Sequence, residues 1–93
     1  MTIIKLKDYG AILTGREFGK TIFKTLIDKY KLPFEFDFEG VISMGSSFGD
    51  EVLPPTAKLQ GDTVQVLNAS KTVKACIDDI KTETNINFIF NTP

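Results

Sequence analysis

The chain has 93 residues, a formal net charge of -1, and a composition that is 42% hydrophobic and 25% charged. That length holds one core, so residues 1–93 are expected to form a single domain of ordinary globular make-up. The balanced charge argues against a nucleic-acid binder, no apolar run approaches the ~20 residues of a membrane span, and one cysteine without any histidine excludes a disulfide and a transition-metal site.

No signal-peptide pattern stands at "MTIIKLKDYG", so the chain reads as cytoplasmic, with no cofactor expected. "TIIKLK" (residues 2–7) is β-rich and predicts a first strand, and "DYGAIL" a turn with a short second strand. "TGREFGKTIFKTLIDKY" predicts the best helix of the chain. Thr14 and Glu17 have the spacing of a capping box, and Phe18, Ile22, Phe23, Leu26, Ile27 and Tyr30 make one apolar face. Pro33 ends this helix near Tyr30.

"PFEFDF" (residues 33–38) alternates phenylalanine with acid, the period of a strand with one apolar face. "EGVISM" leads into a Gly-Ser-Ser turn, and "SSFGDEVL" predicts a short second helix. A serine is expected to cap it, Asp50 and Glu51 to occupy its first turn, and Pro54 and Pro55 to limit or kink it. "GDTVQVLN" is a turn and a strand. "SKTVKACIDDIKTE" is an amphipathic helix capped by Ser70, with Val73, Cys76, Ile77 and Ile80 as its stripe. "INFIF" (residues 86–90) is a final strand and "NTP" a tail. Alternating strands and helices predict an α/β sandwich with largely parallel or mixed pairing.

Gly45-Ser46-Ser47-Phe48-Gly49 matches G-x-S-x-G, the nucleophile elbow of serine hydrolases. A triad needs a base that titrates near neutrality, and the chain has no histidine. Nothing marks a desolvated lysine in its place, so no catalytic residue is assigned and the chain is read as a non-enzyme. Asp50 and Glu51 are adjacent on a helix and point about 100° apart, which does not suit one metal ion. Gly15 and Gly19 form G-x-x-x-G without the lysine-hydroxyl ending of a phosphate loop. Cys76, on an apolar stripe, reads as core.

The segment "FEFDFEGVISMGSSFGDEVL" (residues 34–53) resembles the core motif of a STAS-like family of small prokaryotic proteins, relatives of the anti-sigma-factor antagonists. The matching positions are Asp37-Phe38, Gly40-Val41, Ile42, and Ser47-Phe48-Gly49-Asp50-Glu51. Arg16 resembles the arginine that opens the family's first long helix, and "VLNASKTVKACI" is similar to its last strand and following helix, with Asn68 ending the strand. The resemblance covers roughly residues 12–82. It implies a STAS-like sandwich with a four- to five-stranded mixed sheet and about three helices.

In the antagonists proper the same turn reads D-S-S-G, and its second serine is phosphorylated by an ATPase of the histidine-kinase type. Ser47 takes that position and Ser46 the preceding one, while Gly45 and Phe48 replace the flanking aspartate and glycine. The resemblance therefore implies a signalling or protein-interaction module, with a kinase-like ATPase as partner. Ser47 and Ser46 are its candidate phosphoacceptors or partner contacts, and Arg16, Phe48, Asp50 and Glu51 its candidate interaction surface. Ser47 otherwise serves as a helix cap. The alternatives are a small-ligand or nucleotide-binding module, or an accessory protein of a phage or mobile element.

Overall fold

Phe34 and Phe36 alternate with Glu35 and Asp37, and this period of two sets the centre of the fold. The computed structural model describes residues 1–92, so of the expected tail Pro93 lies outside the described residues. The elements in order are β1 (Thr2–Lys5), a 3-10 turn (Leu6–Tyr9), β2 (Ile12–Leu13), α1 (Arg16–Lys29), β3 (Phe34–Asp37), β4 (Ser43–Met44), α2 (Ser46–Lys58), β5 (Thr63–Leu67), α3 (Lys71–Thr82) and β6 (Asn87–Asn91). The main sheet has the order β1-β3-β5-β6, and β2 pairs with β4 in a separate two-stranded ribbon.

Every strand pair among the described residues is parallel, where the sequence had left room for a mixed sheet. The strands advance in one direction across the sheet. Right-handed crossovers then place α1, α2 and α3 on the same face. Burial agrees: Ile4, Phe34, Phe36, Val64, Val66 and Phe88 are buried, and their neighbours along each strand are not. Parallel sheets are usually covered on both faces and read as continuous apolar runs. Here one face is open, which is why the strands alternate as an antiparallel sheet would.

The open face carries a cross-linked polar cluster beside Ile3, Leu67 and Ile89. In register, Glu35 lies beside Gln65, and the Asn91 amide donates to the side-chain oxygens of both. At the other end of the strands the Gln60 side chain completes the pairing of β3. Its oxygen accepts from the Phe34 amide at 2.9 Å, and its amide donates to the carbonyls of Thr63 (2.8 Å) and Phe34 (3.3 Å).

Helix α1 ends at Tyr30 as expected, but Thr14 does not cap it. Gly15 is the N-cap, at φ 97°, and no side chain bonds the first-turn amides. The Thr14 methyl instead packs toward Gly45, where a Cβ would stand 3.3 Å from it. Helix α3 follows expectation, with the Ser70 hydroxyl accepting from the Val73 amide at 3.2 Å and Val73, Cys76, Ile77 and Ile80 buried.

Helix α2 corrects the sequence reading, since it runs 13 residues through both prolines. Pro54 and Pro55 withdraw the N–H partners of the Asp50 and Glu51 carbonyls, ordinarily a cost of about 3 kcal/mol or more per proline. Val52, Leu53, Thr56 and Ala57 are completely buried around them, so tertiary packing holds the helix past the break. The Thr56 hydroxyl adds a bond to the Val52 carbonyl at 2.7 Å.

Candidate functional site

The Gly45 amide donates to the Leu13 carbonyl at 2.8 Å, which hangs the start of α2 from the β2–β4 ribbon. Gly45 itself, extended at φ -81° and ψ 150°, is the N-cap. The expected serine cap is therefore absent: Ser46 and Ser47 are the first two residues inside the helix, and no side chain caps its first-turn amides. Asp50 and Glu51 likewise lie beyond the first turn, at the fifth and sixth helical positions.

The second glycine of the G-x-S-x-G pattern is explained by packing. Gly49 faces α3, where a Cβ would come within 2.6 Å of Ile80 Cδ1. Gly19 plays the same part in α1, with a Cβ there lying 2.8 Å from the Phe48 carbonyl oxygen and 2.9 Å from Glu51 Cβ. Helix α2 is thus held at close range on two sides. The intervening Phe48 is fully buried with its ring 5.5 Å from that of Phe18, so it drops out of the expected interaction surface.

The remaining candidates fall on two flanks set by the i, i+4 spacing. Ser46 and Asp50 line a groove of about 280 Å³ together with Asp79 and Glu83 of the α3 end. Ser47 shares its flank with Glu51, whose carboxylate takes the Arg16 guanidinium at 2.5 Å. The structure thus brings Arg16 and Glu51 together and leaves Asp50 on the other side. Ser46 is exposed and Ser47 half-buried.

Comparison with known proteins finds no matching family model, no similar curated protein and no similar solved structure. The site is therefore read from its own chemistry.

Among the described residues no group of acids and cysteine is arranged to hold a metal, and no helix is long and apolar enough to cross a membrane. Cys76 is buried; desolvation, then the nearby Asp79 and Asp50 charges, push its thiol above the ordinary range, the opposite of an activated nucleophile.

Two features near this end of the sheet involve Asp37, Asn68 and Ile42, which the sequence marked only as positions of the motif, without the contacts they make. Asn68, at φ 57° where β5 ends, donates to Asp37 Oδ1 at 3.0 Å, and the same oxygen takes the Glu39 amide at 2.9 Å. Desolvation pushes the Asp37 carboxyl upward, but these two bonds and the charges of Lys5 and Lys7 outweigh it and leave it below its ordinary value. An aspartate ending one strand and an asparagine ending another were the available signal. The second feature is the pair Ile12 and Ile42, 62% and 66% exposed, which flank the ribbon that leads to Gly45.

Proposed function

We propose that the chain is a non-enzymatic signalling and protein-interaction module of the STAS-like type, read by a protein partner at the start of α2. The observation that carries this reading is the placement of Ser46 and Ser47 as the first residues of a helix whose first-turn amides have no side-chain cap. Such a terminus presents hydroxyls beside N–H groups that favour added negative charge. Phosphorylation would add roughly -1.5 to -2 charges there. On Ser46 the new charge would enter a groove already lined by Asp50, Asp79 and Glu83. On Ser47 it would stand one turn from Glu51 and compete for Arg16. Either event rewrites the charge a partner meets, and a kinase-like ATPase is the partner class that the STAS resemblance implies.

The acidic groove weighs against the nucleotide-binding alternative, because its three carboxylates would repel phosphates. The test is affinity capture from native cells with the wild-type chain, Ser46→Ala, Ser47→Ala and Ser47→Asp, combined with mass-spectrometric mapping of phosphate. An ATPase captured by the wild type, with phosphate on Ser46 or Ser47 and altered capture by the variants, is expected. A partner set indifferent to all three variants, with both serines unmodified, would sink the reading.

A further inference from the structure

Strand β6 lies at one edge of the main sheet. Its sequence, Asn87-Phe88-Ile89-Phe90-Asn91, reads the same in both directions about Ile89. Edge strands commonly repel a second strand with lysine, proline or a bulge. The opposite edge, β1, carries Lys5, whereas β6 carries neither charge nor proline.

The hydrogen-bonding phase of this edge follows from one contact. The Asn87 amide donates to the Asp62 carbonyl at 2.9 Å, on the β5 side. Successive residues of a strand turn their N–H and C=O groups to alternate edges. Ile89 and Asn91 therefore also face β5, and Phe88 and Phe90 direct their backbone groups outward.

We propose that β6 is a homodimer interface, in which β6 of two copies pair antiparallel about a two-fold axis at Ile89. In that register Phe88 of each copy exchanges both backbone bonds with Phe90 of the other, giving about four bonds that satisfy all the outward groups of these residues. Phenyl then meets phenyl on the helix face. On the open face Ile89 meets its own copy at a non-hydrogen-bonded position, where side chains approach most closely. Phe90 and Ile89, 42% and 36% exposed in the single chain, become covered.

Charge agrees with the symmetry. Helix α3, the crossover from β5 to β6, is the outermost helix on this side, and Lys74 lies 5.7 Å from the Phe90 ring centroid. Asp78 follows one turn later, so the antiparallel arrangement sets the Lys74 end of one helix toward the Asp78 end of the other.

Sedimentation across a concentration series tests the interface with the chain as it stands. The expected result is a concentration-dependent species of twice 10.3 kDa. Ile89→Lys should weaken it at least about tenfold by opposing two like charges at the axis, while Ile3→Lys on the β1 edge should leave it intact. Ile89→Cys should form an interchain disulfide under mild oxidation, because facing residues there have Cα atoms about 4.5 Å apart. A chain that stays monomeric, with the edge left to another protein's strand, overturns the proposal, as does a dimer insensitive to Ile89→Lys or one lost in Ile3→Lys. Should Ile89→Lys fail to fold, the absence of an interchain disulfide in Ile89→Cys is decisive against it.

Discussion

Arg16 and Glu51, 35 residues apart in sequence, join the first residue of α1 to the second turn of α2 at 2.5 Å. The guanidinium is half in solvent, its side chain 52% exposed, so the pair adds little stability, about 0.2–1 kcal/mol. Arg16→Ala should lower the melting temperature only slightly, and added salt should shrink the difference. Calorimetry of the wild type, the two single variants and the Arg16→Ala/Glu51→Ala double variant measures the coupling.

Ser47 lies one turn before Glu51 at an uncapped helix start. An acid at that position meets the helix dipole favourably, by about 0.3–1 kcal/mol. Ser47→Asp should therefore raise thermal stability in low salt. Ser46→Asp faces Asp50, Asp79 and Glu83, so it should gain less or lose stability. Urea titration of both variants decides the order.

Two glycines set the spacing of the helices, and they should respond unequally to alanine. At Gly19 the added methyl meets backbone, the Phe48 carbonyl oxygen at 2.8 Å, and α1 must move away from α2. At Gly49 it meets the tip of Ile80, which can rotate aside. Both changes gain up to about 1 kcal/mol of helix propensity. Gly19→Ala should nevertheless destabilise by about 1–3 kcal/mol, and Gly49→Ala by clearly less. Denaturant midpoints read both.

Asp37 supplies a pH dependence of known sign. Its folded carboxyl is held below the ordinary value by Asn68, the Glu39 amide and two lysines, which together overcome desolvation. The folded state then binds the proton less readily than the unfolded chain. The contribution to stability is present above the unfolded value of about 3.9 and is lost as pH falls through the lower folded value. Asp37→Asn should flatten the acid limb of a plot of melting temperature against pH, and Asn68→Ala should shift that limb upward in pH.

The elements were largely legible because their cause is local. The Phe34–Phe36 alternation, the Ser70 cap and the Val73–Ile80 stripe all act within one strand or one helical turn. What escaped has causes elsewhere in the chain. Gly45 carries no side chain to announce a cap, while the neighbouring serines do. Pro54 and Pro55 read as a stop because proline is judged by its own backbone, yet four buried neighbours carry the helix onward. The sequence allowed largely parallel or mixed pairing and did not decide between them, because an open face makes a parallel strand alternate as an antiparallel one does. The candidate serines stood out in the motif, and the meeting of two helices is what selects Glu51 over Asp50 as the partner of Arg16. The Glu35–Gln65–Asn91 cluster needed three strands in register.

The two glycine contacts also constrain what α2 can do. Bare backbone at Gly19 and Gly49 lets α1 and α3 press against α2 within its first turns. A phosphate on Ser46 or Ser47, as proposed, would sit where α2 is packed closely on both sides. On the reading proposed above, such a mark would act as a surface label, read by a partner through charge and outline.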